Sequence, residues 1–488
     1  MSRFPATFLA LVMAAPVAGQ TTAIVDVTII DVDAGTKRAG MTVAISGDRI
    51  TTVGESDLVE LPDGAEVVDG TGRYLIPGLW DMHAHTSTVR ITRDVILPLF
   101  VANGVTGIRN MAADCFERGS PSCVPPDLPD PLPSVHDFAR WRQEMESGRM
   151  IGPRVVASSA NLHGPAPGEP STPQNPGTPA DARAHVRLLK ERGVDFIKVY
   201  SEFPRDAYFA LMDEARRMGL PVAGHVPVLV RASEAATAGQ ASLEHIGPGN
   251  ELEECSPGEV QLRRQLLDEL TGDSGFALPV LAEIAATYDT ALCARVFKSL
   301  VENDTWVTPT LMVARLPSEI EVPWQNDARR RFLAQTELDY WTEWDQIFTS
   351  LLGTAADQAT YSTWIRRVVR EMRGAGVRFL AGTDAGYPGI YWGSTIHEEL
   401  RLLVSAGLTE LEALRAATSA PAEFLGREAD LGSVEPGKFA DLVLLDGDPL
   451  ANIGNTERIA AVFVRGRLFD RSDLDSLLRA AADAAGAG

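Results

Sequence analysis

The chain has 488 residues, 45% of them hydrophobic and 23% charged, enough to bury a large core in two or three units or in one barrel with an accessory domain. Its formal net charge of -22 argues against nucleic acid or an anionic membrane as a partner and reads as a solubility charge. No long run of like charges and no low-complexity tract interrupts it.

At the start, Arg3 precedes an apolar run from Phe8 to Val17, closed by the small residues Ala18 and Gly19. This pattern predicts a secretory signal peptide over residues 1–19, and hence a secreted or periplasmic protein. The run is shorter than the roughly 20 residues a bilayer span needs, and with no other candidate span, no membrane insertion is expected. None of the four cysteines forms a CxxC pair. Export permits disulfides, with Cys115–Cys123 and Cys255–Cys293 as the natural pairings, but free buried thiols fit the sequence equally.

Residues 22–31, 41–45, 49–53 and 66–69 alternate and favour β-branched side chains, which predicts strands. Residues 440–445 and 460–463 are apolar and also predict strands, with Pro436-Gly437 and Gly447-Asp448-Pro449 as turn signals. The two chain ends are therefore expected to build one small β-sandwich, from residues 20–77 and 431–475, with 476–488 as a tail.

Between them, apolar runs end near Asp81, Asn110, Ser158, Tyr200, His225, His245, Thr310 and Asp384, and helical patterns such as 204–218 and 398–406 follow several of them. Repeated strand-then-helix units predict an α/β fold, a (β/α)8 TIM barrel over residues 78–430. Two stretches, near 115–150 and 250–375, exceed normal loop lengths and read as insertions beside the barrel mouth.

The chemistry sits at the strand ends. Gly78-Leu79-Trp80-Asp81-Met82-His83-Ala84-His85 places two histidines two apart, and side chains two apart on a strand face the same way. Lys198, His225, His245 and Asp384 each close a separate apolar run. In a parallel barrel these ends meet on one face, where active sites of this fold lie. Singly, each has a plain reading: a packed histidine, a solvated lysine, a helix-capping aspartate. Their order and common placement make coincidence a poor account of the set.

With these residues the sequence resembles the amidohydrolase superfamily, closest to its binuclear imidazolonepropionase-like and Xaa-dipeptidase-like branch. The resemblance runs from residue 22 to about 470 and takes in Leu431-Gly432-Ser433-Val434-Glu435-Pro436-Gly437-Lys438-Phe439-Ala440-Asp441-Leu442. It implies two divalent metal ions, zinc by preference. His83, His85 and Asp384 would hold the first and His225 and His245 the second, with Lys198 bridging both as N6-carboxylysine. A free ammonium has no acceptor, whereas its carbamate is an anionic oxygen ligand. Asp384 would also be the catalytic base, and His163 and Tyr200 would contact the substrate.

The expected reaction is hydrolysis of an amide bond in dipeptides or N-acyl amino acids, with a lactonase, esterase or cyclic amidase as the alternative. A deaminase is disfavoured, because Val226, Pro227 and Val228 follow His225 where related deaminases place a glutamate. A non-catalytic binding protein is disfavoured because no ligand is missing. Arg109 is expected to meet an anionic substrate or an acidic neighbour, His397 to be structural, and His136 and His185 to lie on the surface. The partner is a small-molecule or dipeptide substrate, and assembly into a homo-oligomer is left open.

Overall fold

A computed structural model describes residues 21–113, 131–166, 168–246, 252–270, 278–315, 320–351 and 354–486. The expected signal peptide and the Cys115–Cys123 pairing lie outside the described residues. Among those described, no helix is long and apolar enough to cross a membrane.

Both chain ends enter one sheet. Strands β1 (Thr21–Asp31), β2 (Thr36–Ser46), β3 (Arg49–Glu55), β4 (Glu66–Asp69) and β5 (Tyr74–Pro77) come before the central domain. Strands β13 (Leu442–Leu445), β14 (Ile459–Val464) and β15 (Arg467–Asp470) come after it. The order is β15-β14-β13-β5-β1-β2-β3, with β4 also on β1, so the eight strands form one hydrogen-bonded sheet instead of the two expected of a sandwich. Register shifts in β1 between Ile24 and Ile29 bend it. The bent sheet encloses its own core of Ile24, Ile29, Val43, Leu75, Leu442, Leu444 and Phe463.

The central domain is built from β6 (Leu79–Ala84), β7 (Val105–Asn110), β8 (Arg154–Ala157), β9 (Ile197–Val199), β10 (Val222–Gly224), β11 (Ser242–Glu244) and β12 (Trp306–Thr308). All their pairings are parallel, in one sheet of three strands, β6-β7-β8, and one of four, β12-β11-β10-β9. Single parallel bridges join the two: Ser158 with Phe196, Val307 with Phe379, and Ala84 with Ala385. The arrangement is TIM-barrel-like, but the expected eighth strand before Asp384 is reduced to bridges. Its backbone still bonds to both neighbours, through Leu380 N–H to Val307 O (2.9 Å) and Met82 N–H to Ala381 O (2.8 Å). Two features near its end break the regular ladder. A Cβ on Gly382 would fall 2.6 Å from that of His83, and Asp384 has a φ of 63°.

Helices cover these strands for ordinary reasons. In Arg205–Met218, residues Ala207, Tyr208, Ala210, Leu211, Met212 and Ala215 make one buried stripe, and Gly219 closes the helix at a φ of 63°. Its Tyr208 hydroxyl donates to Gln240 Oε1 at 2.7 Å, locking the helix beneath β10 and β11. The region 250–375 contributes helices Glu259–Leu270, Thr290–Glu302, Gln335–Leu351 and Ala355–Ala375, and a disulfide joins Cys255 to Cys293. The expected tail is instead part of helix Arg471–Gly486, which buries Leu474, Ala481 and Ala485. Its Ala484 carbonyl accepts from Arg90 at 3.0 Å.

Candidate metal centre

The strand ends converge as the parallel pairing dictates. One ligand atom from each of His83, His245 and Asp384 falls within 4.8 Å of the others. His85 Nε2 lies 2.9 Å from Asp384 Oδ1, and His83 Nε2 lies 3.3 Å from the same oxygen. The His225 ring is 5.0 Å from that of His245, which is 4.7 Å from that of His83. Lys198 is buried, with Nζ 5.8 Å from the Tyr200 ring centre.

Three non-glycine residues here hold left-handed backbone: His245 (φ 72°), Thr310 (46°) and Asp384 (63°). Each such residue costs on the order of 1–3 kcal/mol, which surrounding contacts must offset. Those contacts are present. Thr310 Oγ1 pairs with His245 Nδ1 at 2.6 Å, and Asp384 N–H donates to His83 O at 2.7 Å. Beneath them, Asp81 accepts from Thr383 Oγ1 (2.6 Å) and Thr383 N–H (3.0 Å), and burial pushes its carboxyl up to about 6.

His83 is held from behind. Its Nδ1 is 2.8 Å from Glu244 Oε2, and Glu244 Oε1 accepts from Arg109 Nη2 at 2.7 Å. Burial works to raise the Glu244 carboxyl, but Arg109 and then His83 outweigh it and hold the group far below the usual carboxylate range. An ionised carboxylate only accepts, so His83 Nδ1 donates to Glu244 while Nε2 faces Asp384. That Nε2 and the facing Asp384 Oδ1, 3.3 Å apart, are both buried without a hydrogen-bond partner, an arrangement that a bound cation would satisfy.

The imidazoles of His85, His225 and His245 are neutral. Burial lowers His85, takes His225 well below its ordinary value and brings His245 down to about 3. Burial works against ionisation of Asp384 too, but His83 and then His85 outweigh it and keep the carboxylate charged. Burial pushes Lys198 down to about 8. Neutral imidazoles and an ionised carboxylate are the forms in which these groups bind a divalent cation, so the donor set fits a metal.

Beside the cluster, Tyr200 stacks on His225 with ring centres 3.9 Å apart and lies 4.2 Å from His163. His163 itself faces solvent and pairs with Glu202 at 2.9 Å. The sequence reading did not find Tyr387, whose ring meets His85 edge-on at 5.8 Å and whose hydroxyl bonds to Tyr200. Nor did it find the wall raised by helix Gln335–Leu351. There Trp344 lies 5.8 Å from Tyr387, and the buried Trp341 donates to Gly386 O at 2.8 Å. Nothing in the spacing of these aromatics marked them, because they come from an insertion and from a loop past the last strand. Of the remaining histidines, His397 is buried, as expected of a structural residue. His185 is buried rather than on the surface, because the stripe of Ala182, Val186 and Leu189 on its helix turns it inward.

A model of the amidohydrolase family matches residues 74–469. Over 154 residues the chain is 30% identical to an adenine deaminase of Rubrobacter xylanophilus, in an alignment covering 28% of this chain and 24% of that protein. The chain thus spans about a quarter of that curated relative's length. Two solved structures share the fold nearly end to end. Bottromycin amidohydrolase has a TM-score of 0.69 at 24% identity, covering 96% of this chain and 91% of that one. A Xaa-Pro dipeptidase with methionine bound in its active site has a TM-score of 0.62 at 20% identity, covering 92% of this chain and all (100%) of that one. With the family's pattern running from β5 to the last strand of the sheet, the chain belongs to the amidohydrolase family.

Proposed function

We propose that this protein is a binuclear metal-dependent amidohydrolase that cleaves the amide bond of dipeptides or N-acyl amino acids. Family membership makes it a hydrolase acting on carbon–nitrogen bonds. The observation that carries the metal reading is the buried, unpartnered pair His83 Nε2 and Asp384 Oδ1, 3.3 Å apart, with neutral His85, His225 and His245 beside it.

In this reading His83, His85 and Asp384 would hold one ion and His225 and His245 a second, and Lys198, carboxylated by CO2 to N6-carboxylysine, would supply an anionic oxygen ligand to them. Imidazole and carboxylate donors favour zinc. When bound, the ions supply Lewis acidity and bring the pKa of a water towards neutrality. Asp384, ionised and central, takes the proton of the attacking water and returns it to the departing nitrogen. Tyr200, beside His225 and bonded to Tyr387, donates its hydroxyl to the substrate's carbonyl or carboxylate oxygen, with His163 beside it at the solvent edge. A lactonase, esterase or cyclic amidase acting on small carbonyl compounds uses the same machinery and is the runner-up.

A deaminase is a second reading, favoured by the partial match to adenine deaminases. Val226-Pro227-Val228 after His225 and the buried Lys198 speak against it. Export is part of the proposal too: the apolar start of the sequence and the Cys255–Cys293 disulfide support an oxidising destination.

The test is direct. The purified protein should carry about two divalent ions per chain, Lys198→Ala should lose one of them, and Asp384→Asn should abolish turnover. Xaa-Pro, Xaa-Arg and N-acyl amino acid panels then identify the bond. Turnover of lactones or esters without any of these would overturn the peptidase reading, and ammonia release from adenine would favour the deaminase.

A further inference from the structure

We infer that Glu244 and Arg109, a buried ion pair behind the ligand cluster, are positioning residues that fix the tautomer of His83 and set the affinity of the ion it holds. The inference rests on the metal reading above and deepens it.

Neighbours on a regular strand point to opposite faces, so Glu244 and His245 should not both reach His83. They do, because the left-handed φ of 72° at His245 breaks the alternation. Glu244 then sits 2.8 Å from Nδ1 of His83, while the His245 ring packs 4.7 Å from the His83 ring.

Glu244 has no freedom to do anything else. Its second oxygen accepts from Arg109 Nη2 at 2.7 Å and from the Ser242 hydroxyl. Arg109 is fixed in turn, with Nε donating to Met82 O at 2.6 Å, Nη1 to Ser242 Oγ at 2.8 Å and Nη2 to Thr308 Oγ1 at 3.2 Å. These groups belong to β6, β7, β11 and β12, so one guanidinium ties four strands under the site. Side-chain exposure is 1% for Arg109 and for His83 and 0% for Glu244, leaving no room for water to substitute.

The chemistry follows from counting donors. With Glu244 present, Nδ1 of His83 donates, which leaves Nε2 as the nitrogen that can give its lone pair to an ion. In Glu244→Gln the amide has one oxygen for two claimants. The Arg109 fork, all donors, takes the oxygen, and the NH2 group then faces His83. Nδ1 becomes the acceptor, the proton moves to Nε2, and the lone pair aimed at Asp384 disappears. Outer partners of this kind typically change metal affinity by about 10- to 100-fold.

The experiment equilibrates wild-type, Glu244→Gln and Arg109→Lys proteins in chelator-buffered Zn2+ and measures metal per chain by mass spectrometry. [15N]histidine NMR of the metal-free proteins reports the His83 tautomer. The expected result is one ion bound with wild-type affinity and the other about 10- to 100-fold more weakly in Glu244→Gln. Arg109→Lys keeps the charge but loses the fork, so it should weaken the same ion several-fold. His83 should switch from the Nδ1–H to the Nε2–H form in Glu244→Gln. Wild-type affinity for both ions with an unchanged tautomer would overturn the inference. A wild-type protein that binds no divalent ion would overturn the metal reading instead, and the tautomer measurement would still decide the positioning role.

Discussion

Replacing Gly224 by alanine should damage the protein through the backbone that carries Lys198 and His225. Gly224 has a φ of 131°, a region that side chains rarely allow. An added Cβ would lie 2.2 Å from Val199 O, 2.9 Å from Val199 N and 3.0 Å from Lys198 Cδ. None of these can yield freely, since the Val199 carbonyl accepts from His225 N–H at 3.1 Å and Lys198 is buried. The conformational cost is about 1–3 kcal/mol and overpacking adds about 1–3 kcal/mol, or roughly 2–6 kcal/mol together. If the strands part instead, Lys198 and His225 separate, and a displacement of about 1 Å can cost on the order of 100-fold in turnover. Denaturant titration of the metal-free variant measures the first effect; metal content and kcat measure the second. A Gly224→Ala protein within about 0.5 kcal/mol of wild type, with two ions and full activity, would refute the reasoning.

The Cys255–Cys293 bridge closes a 38-residue separation, for which chain entropy gives about 4 kcal/mol. The double variant Cys255→Ala/Cys293→Ala should therefore lose about that much in chemical denaturation, and reduction of the wild-type protein should mimic it. Burial brings His397 down to about 4 from an ordinary 6.5, so the folded state binds fewer protons than the unfolded chain in that window. Its contribution is intact above pH 6.5 and lost as pH falls towards 4, by up to about 3 kcal/mol. His397→Gln should flatten the stability profile across this range. Prolonged chelation should lower the melting temperature of the wild-type protein, since His83 Nε2 and Asp384 Oδ1 are left facing each other. Unchanged melting with the metal stripped would argue against that juxtaposition.

The candidate site was legible wherever a polar residue ended an apolar run. His83, His85, Lys198, His225, His245 and Asp384 stand out because barrel strands are short and interrupted at one face. The groups behind them were harder to read. Arg109 was visible as a strand-end cation that would meet an anionic substrate or an acidic neighbour, but Glu244 could not be named, since its contact with His83 depends on a kinked backbone at His245. Tyr387, Trp341 and Trp344 were out of reach for another reason: neither an insertion nor a loop past the last strand carries a periodic relation to the strands beside it. In the fold, the alternating segments at both ends read correctly as strands. The short β5 and β15 were not read as strands. Residues 476–488 looked like a tail because alanine runs are mute about packing, yet 476–486 continue a helix that lies against the segment following His85.

The place of β5 has a consequence for how the molecule is made. It pairs in parallel with β1 and antiparallel with β13, so a strand ending at Pro77 waits for one that begins at Leu442. During vectorial synthesis, β1, β2 and β3 can form a meander at once, but the edge of β5 stays unsatisfied until the whole intervening domain has been translated. That domain must therefore fold as an insert held open at its base, and closure of the sheet comes as a late, long-range step. A partly synthesised chain should therefore expose one templating strand edge until Leu442–Leu445 has been made.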